Sequence, residues 1–330
     1  MRSTTNVGDG VVIHPLDPAD AAALVPMRAA ALPQKGVPWR IEARPFFDAL
    51  MEGVAPRSDV TFESVAVGGV PGLWVHPASS RSDEALLHLH GGWFHAGNAA
   101  AYRHLVGHIA ARAGTRAFVP DYRLAPEHPF PAAVDDVRAT YRGMDESGIR
   151  RIALTGDSAG GNLALVLVAY LVTRAVPAKA GVVGVAAFSP VTDLTLSGAT
   201  YETRAEADPY FTKQQVAALV HSYLGSADPN DPLASPLQGR LFGLPPIRIH
   251  VGDDEVLLDD SRRYVERALA EGSMRGSRCG PACPMDLSPA SEPSRRPSRR
   301  WMRAAGFSLR SCRPVTSSEK GHRSCQHSRQ

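Results

Sequence analysis

Along most of this chain, short apolar runs with a two-residue period are separated by segments with apolar residues at helical spacing. Residues 61–67 alternate, Gly68 and Gly69 make a turn, and the pattern resumes at 73–75, which predicts a β-hairpin. Further runs predict strands at 85–90, 117–120, 152–155, 182–188 and 247–251. Helices are predicted at 102–113, 132–144 and 162–174. This order indicates a mostly parallel sheet with helices on both faces, and therefore the α/β class.

The segment 11–57 is predicted to be mostly helical. Asp17 fits an N-cap and Pro18 the first helical position, and an alanine-rich run follows them to Ala31. Four apolar residues then repeat at helical spacing, namely Phe46, Phe47, Leu50 and Met51. They either dock onto the core or form a lid over a binding pocket, and the sequence leaves both interpretations open.

These patterns predict three regions. Residues 1–57 form a helical N-terminal cap segment and residues 58–272 an α/β domain, in which the helical insertion 197–240 is a second piece of the cap. The pattern ends at Gly272, and residues 273–330 contain twelve serines, eleven arginines and six prolines but no isoleucine. A segment with so few apolar residues cannot bury enough surface to offset the entropy cost of ordering its chain. We therefore predict that this tail is disordered.

Charge and hydropathy exclude several classes of protein. The net charge is +3, because a tail of +9 is added to a body of −6. The basic tail has only two aromatic residues, Trp301 and Phe307, and no binding-fold pattern, so we predict no nucleic-acid partner. The longest apolar stretch, 163–172, is far shorter than the roughly 20 residues of a membrane-spanning helix. Residues 1–10 lack the apolar core of a secretory signal, so the expected location is cytoplasmic.

The cysteines do not indicate a metal site. All four lie in the tail, where Cys279 and Cys283 have a zinc-like spacing and His322 and His327 follow. The other two, Cys312 and Cys325, are separated by twelve residues, so no second compact pair of ligands forms. We predict neither a metal nor a cofactor.

Residues 156–160 read Gly-Asp-Ser-Ala-Gly and fit the G-x-S-x-G nucleophile elbow. In that motif a serine sits on a tight strand-to-helix turn, which exposes its Oγ. Here a predicted strand precedes Ser158 and a predicted helix follows it, as the motif requires. The alternative is a structural glycine-rich turn, and the context favours the elbow.

Two further groups complete the candidate site. His90, Gly91 and Gly92 close the strand at 85–90, where glycine N–H groups can point at a developing oxyanion, with the Ala159 N–H as a further donor. The alternative is an ordinary glycine turn. A triad also needs a carboxylate after a later strand, and the segment 252–260 offers five. Asp254 lies at the exit of the strand 247–251, and we choose it among them.

The order of these motifs resembles the hormone-sensitive-lipase-like family of α/β-hydrolase carboxylesterases. The resemblance rests on His-Gly-Gly-Trp at 90–93, the stretch 121–133, Gly-Asp-Ser-Ala-Gly-Gly at 156–161 and the acidic run 252–260, and it covers residues from about 60 to 271. It implies the α/β-hydrolase fold with a helical cap, Ser158 as nucleophile, Asp254 as the acid, and Gly91, Gly92 and Ala159 as oxyanion donors. Trp93 departs from the pattern, since the family usually has a third glycine there.

A second departure concerns the base. The family's catalytic histidine lies in a His-Gly-Phe-like segment some thirty residues after the acid, but this chain has no histidine between His250 and His322. We predict that the catalytic histidine is lost because residues from about Ser273 are a frameshifted reading of the normal C-terminus. In the frame that begins one nucleotide earlier, 279–287 permits Trp-Pro-Gly-Met-Pro-His-Gly-Phe, with the histidine requiring CCC at Pro284. Residues 299–303 permit Ala-Ala-Leu-Asp-Ala, which suits a helix.

Two functions remain open from the sequence. The first is a carboxylic ester hydrolase acting on a small-molecule ester through Ser158 and an acyl-enzyme, impaired by the missing histidine. The second is a hydrolase fold kept as a non-catalytic binder of small molecules. Ser158 and Asp254 favour the enzyme, whereas the absent histidine favours the binder.

Overall fold

The computed structural model describes residues 5–8, 11–174 and 178–273. Within them, seven strands form the main sheet in the order β3-β4-β6-β5-β7-β8-β9. Its strands are β3 (Val60–Val67), β4 (Val70–Pro77), β5 (Glu84–Leu89), β6 (Arg116–Pro120), β7 (Arg151–Asp157), β8 (Gly181–Phe188) and β9 (Ile247–His250). The pairs β3–β4 and β4–β6 are antiparallel, and the remaining neighbours are parallel. A separate two-stranded sheet, β1 (Thr5–Gly8) with β2 (Val11–Ile13), precedes it.

Helices cover both faces of the sheet. They are α1 (Pro18–Ala31), α2 (Arg44–Glu52), α3 (Ala99–Ala113), α4 (Ala132–Glu146), α5 (Ala159–Thr173), α6 (Thr200–Thr203), α7 (Lys213–Leu224) and α8 (Leu258–Ala270). Strand β5 is buried along its whole length, and its side chains alternate between two cores. Leu87 and Leu89 belong to the core shared with α4 and α5, whereas Leu86 packs with residues of α3 on the opposite face. A strand buried on both faces has this continuous apolar pattern.

The structure agrees with the predicted α/β fold and with most predicted elements. Helix α1 begins at Pro18 and ends at Ala31, and the predicted hairpin is β3–β4. Helix α5 starts at Ala159, three residues earlier than predicted. The β1–β2 hairpin and α8 were not predicted: the first is very short, and the second is predominantly polar, with its apolar residues on one face.

Helix α2 divides its four apolar residues between two environments. Met51 is buried, and Phe47 packs against the core on the α3 side, with its ring 6.5 Å from that of Tyr102. Phe46 and Leu50 face outward and are 62% and 42% exposed. Met51 and Phe47 therefore dock onto the core, which agrees with the first of the two interpretations for these residues.

The N-terminal segment is held against the insertion 197–240 by hydrogen bonds. The Lys35 ammonium donates to the carbonyl oxygens of Ala205 at 2.6 Å and Asp208 at 2.5 Å. Asp208 in turn accepts the Val256 N–H at 2.9 Å, so this contact continues to the loop after β9. The two segments predicted as cap pieces are thus joined to each other and to the acidic loop.

Candidate active site

Three loops leave the sheet side by side at the carboxyl ends of β7, β8 and β9. Asp157 is paired with Phe188 across β7 and β8, and Phe188 with His250 across β8 and β9. The next residue of each strand therefore lies in one row at the edge of the sheet. Ligands of open α/β sheets bind at this edge.

Ser158 occupies a tight turn between β7 and α5. Its backbone has φ 52° and ψ −118°, a conformation that L-residues rarely adopt, and its N–H donates to the Phe188 carbonyl oxygen at 2.8 Å. Gly160 makes the turn possible, since a Cβ there would lie 1.9 Å from the Leu89 carbonyl oxygen. Ala159 is the first residue of α5, so its N–H lies at the positive end of the helix dipole. These features are those of a nucleophile elbow.

Residues 90–93, which we call the oxyanion turn, follow β5 beside the elbow. Gly92 has φ +112°, and the next two residues, Trp93 and Phe94, also have positive φ values of 53° and 65°. Within the described residues, no protein acceptor is found for the Gly92 N–H. Gly92 and Ala159 can therefore be considered as oxyanion donors.

Gly91 differs from its neighbour. Its N–H donates to the Tyr102 hydroxyl oxygen at 3.0 Å and to Asp157 Oδ1 at 3.1 Å. The N–H thus points into the protein and is already satisfied, which corrects the prediction that Gly91 supplies an oxyanion donor. Sequence could not show this, because the competing acceptors are on another helix and another strand.

The carboxylates after β9 occupy different environments. Asp254 forms an ion pair with Arg28 of α1, and its side chain is 40% exposed. Glu255 instead accepts the Gly252 N–H at 2.7 Å and a hydrogen bond from Ser189, which follows β8 directly. Burial raises the pKa of Glu255 to about 7. Glu255 therefore contacts Ser189, the residue after the Phe188 that accepts the Ser158 N–H, whereas Asp254 contacts α1. These contacts do not support the choice of Asp254.

The base is absent from the contacts of Ser158. In the parts of the chain that the structure describes, no histidine hydrogen bonds to the Ser158 hydroxyl. His90 donates within the oxyanion turn to the Gly91 carbonyl oxygen, and burial lowers its pKa to about 4. His322 and His327, the predicted disorder and the predicted frameshift all lie outside the described residues.

Trp93 connects the oxyanion turn to the insertion 197–240. Its side chain is only 5% exposed, and its ring meets that of Phe211 edge-to-face at 5.5 Å between centroids. Its carbonyl oxygen accepts a hydrogen bond from His95 Nδ1 at 2.7 Å. The large side chain at this position therefore fills space between the turn and the second cap segment.

The described residues contain neither a metal-binding cluster nor a membrane-spanning helix. No group of three or more histidine, cysteine, aspartate or glutamate side chains among them is arranged to hold a metal ion. No helix within the same residues is both long and apolar enough to cross a membrane. The four cysteines considered above lie outside these residues.

The chain is similar to known proteins in sequence and in fold. The family model described as "alpha/beta hydrolase fold" matches residues 86–283. An acetyl-hydrolase of Streptomyces hygroscopicus is 39% identical over 67% of this chain and 72% of its own length. An esterase of Acinetobacter venetianus is 34% identical over 68% and 74%, respectively. A solved structure of an esterase from the bacterial hormone-sensitive lipase family superposes with a TM-score of 0.73 at 34% identity, covering 82% of this chain and 91% of that one.

The chain therefore belongs to the alpha/beta hydrolase fold family, and within it to the carboxylesterase-type hydrolases similar to hormone-sensitive lipase. This confirms the resemblance inferred from the four motifs.

Proposed function

We propose that this protein hydrolyses short-chain carboxylic esters through attack of Ser158 Oγ on the ester carbonyl. The observation that carries the proposal is the position of Ser158 on a strained turn at the start of α5. Attack forms a tetrahedral intermediate, whose oxyanion is stabilised by the N–H groups of Gly92 and Ala159. The C–O bond breaks and the alkoxide takes up the proton lost from Ser158, so that it leaves as the alcohol. Water then attacks the acyl-enzyme, which releases the carboxylic acid and returns a proton to Ser158.

The acid in this proposal is Glu255, in place of Asp254. Its contacts with Gly252 and Ser189 fix it beside the loop ends of β8 and β9. In a triad the acid orients an imidazole and stabilises its charged form. Without such an imidazole Ser158 keeps a high pKa, and loss of the histidine can lower turnover by about 10⁶-fold. We therefore propose weak hydrolysis, about 10³-fold above water, from the oxyanion donors and binding alone.

The large side chain of Trp93 favours a substrate with a short acyl group. The side chain occupies the position where the family pattern has glycine, and it contacts Phe211 of the second cap segment. The relative from Streptomyces hygroscopicus is named as an acetyl-hydrolase, which supports a small acyl substrate for this chain as well.

The alternative function, a small-molecule binder without catalysis, is favoured by one observation. No histidine in the described residues hydrogen bonds to the Ser158 hydroxyl. A binder would keep the fold and pocket but would not activate its serine.

A fluorophosphonate probe and p-nitrophenyl acetate separate the two functions. We expect slow labelling on Ser158 and hydrolysis above the buffer rate, both removed by Ser158→Ala. The control is Ser147→Ala, because among the described residues the Ser147 hydroxyl hydrogen bonds only to the Met144 carbonyl oxygen, at the C-terminal end of α4. Labelling and hydrolysis that persist in Ser158→Ala would contradict the proposal. Absence of both in the unaltered protein, with saturable binding of an ester, would establish the binder.

A further inference from the structure

Asp157 lies between the nucleophile elbow and the oxyanion turn, and the proposed reaction does not use it. Its side chain is 3% exposed and accepts hydrogen bonds on both oxygens. Oδ1 accepts the Gly91 N–H at 3.1 Å, and Oδ2 accepts the Tyr102 hydroxyl at 3.0 Å. The Gly91 N–H also donates to the Tyr102 oxygen at 3.0 Å, which closes a three-membered network.

This network joins three separate elements of the fold. Asp157 ends β7, Tyr102 lies in the first turn of α3, and Gly91 follows β5. The approach is so close that a Cβ at Gly91 would lie 2.1 Å from Asp157 Oδ2. Gly91, the first glycine of the His-Gly-Gly motif, thus allows the close approach of the Asp157 carboxylate. Gly92, the next residue, carries a proposed oxyanion donor.

We propose that Asp157, together with Tyr102, is a positioning residue that holds the oxyanion turn against Ser158, and that it does so fully only as a carboxylate. The inference rests on the proposed function for its catalytic consequence. Its structural half, that Asp157 and Tyr102 fix the turn, stands on the hydrogen bonds alone.

The surroundings of Asp157 determine the pH at which the carboxylate forms. His88 of β5 places Nε2 3.7 Å from Oδ1, and the hydroxyls of Tyr102 and Tyr122 face the same carboxylate. Burial lowers the pKa of His88 to about 3 and of His90 to about 4, so both rings are neutral near pH 7. Without a neighbouring cation, burial raises the pKa of Asp157 to about 7.

Protonation changes what Asp157 can accept. As a carboxylate it accepts from Gly91 and Tyr102 at the same time. A proton on Oδ1 makes that oxygen a donor facing the Gly91 N–H, and a proton on Oδ2 reverses the hydrogen bond with the Tyr102 hydroxyl, which can also accept. In both cases the negative charge that strengthens the two contacts is lost. The oxyanion turn should therefore loosen as the pH falls below about 7.

A second buried aspartate, Asp260 of α8, provides a matched control. Asp260 is fully buried, accepts the N–H groups of Thr192 at 2.7 Å and Asp193 at 3.0 Å, and faces the Tyr201 hydroxyl. Burial raises its pKa to about 7 as well. It has the same chemistry as Asp157 but contacts no residue of the oxyanion turn.

The first measurement is amide hydrogen exchange of the full-length protein and does not need activity. Asp157→Asn and Tyr102→Phe should speed exchange in residues 90–96 by about tenfold, the effect of losing one buried hydrogen bond. Asp260→Asn and Tyr201→Phe should leave that segment unchanged. After correction for intrinsic rates, the unaltered protein should exchange faster there at pH 6 than at pH 8. Unchanged exchange in both test variants would overturn the positioning role.

The second measurement is hydrolysis of p-nitrophenyl acetate, taken as the difference from Ser158→Ala at each pH. We expect kcat to fall about tenfold in Asp157→Asn and Tyr102→Phe with KM unchanged, as for an interaction made in the transition state. The decline of the rate below pH 7 should disappear in Asp157→Asn. If the decline persists, the proposal that Asp157 must be a carboxylate is wrong. If the unaltered protein shows no Ser158-dependent hydrolysis, the proposed function fails for this chain and exchange alone decides the role of Asp157.

Discussion

The Ser158 N–H donates to the Phe188 carbonyl oxygen at 2.8 Å, so the neighbouring strand helps to hold the serine at φ 52°. Such a conformation costs a non-glycine residue of the order of 1–3 kcal/mol, and surrounding contacts must compensate for it. The elbow therefore exposes its hydroxyl at a cost in stability, as is common where function requires strain.

This strain predicts different stabilities for two substitutions at one position. Ser158→Gly should be more stable than Ser158→Ala by about 1 kcal/mol, because glycine adopts positive φ without steric cost. Both variants should lose labelling by the fluorophosphonate. Urea unfolding of the two proteins measures the difference, and equal unfolding free energies would show that the turn is unstrained.

The Trp93–Phe211 contact predicts the acyl preference. Trp93→Gly should raise the rate with p-nitrophenyl hexanoate relative to acetate by about tenfold, because about one to two kcal/mol of binding accompanies added methylenes in an apolar pocket. Trp93→Phe keeps an aromatic ring and should keep the preference for acetate. An unchanged ratio in Trp93→Gly would place the acyl group elsewhere.

Three carboxyl groups with raised pKa values predict how stability depends on pH. Burial raises the pKa of Asp157, Glu255 and Asp260 to about 7 in the folded protein, from an unfolded value near 4. Between these values the folded state binds more protons, so the free energy of unfolding should fall as the pH rises from about 4 to about 7.

Asp260→Asn should flatten that fall, because the amide does not titrate. Asp228→Asn is the control, since Asp228 is exposed and hydrogen bonds with Asn230 lower its pKa. Urea midpoints at pH 5, 6, 7 and 8 measure both. A slope that Asp260→Asn leaves intact would show that Asp260 is charged without penalty in the folded protein.

The sequence predicted the parts of the site that are local in the chain. The elbow around Ser158 was recognisable because a strand, a glycine-rich turn and a helix follow one another within about twenty residues. The role of Gly91 and the choice between Asp254 and Glu255 depend on Tyr102, Asp157 and Arg28, which are distant in sequence. Side chains that come together only through the sheet and the cap leave no signal in one sequence.

The proposed frameshift predicts a codon and a recovery of activity. The Pro284 codon must be CCC, because any other third base gives no histidine in the alternative frame. A one-nucleotide repair near Gly272 should then restore a His-Gly-Phe segment and raise ester hydrolysis by up to about 10⁶-fold, the cost of a missing histidine in such a triad. Sequencing the gene and measuring hydrolysis before and after the repair test this directly. Replacement of the restored histidine by alanine should return the rate to that of the unrepaired protein.

The repaired protein would also decide between the two acids. Glu255→Gln should lower kcat by about 10⁴-fold there, because a neutral partner no longer fixes or stabilises the charged imidazole. Asp254→Asn removes only a partly exposed pair with Arg28, which is worth less than about 1 kcal/mol, and kcat should change by less than about threefold. In the unrepaired protein neither substitution should change the rate appreciably, since no imidazole is present for the acid to orient. A large loss with Asp254→Asn and a small one with Glu255→Gln in the repaired protein would return the role of acid to Asp254.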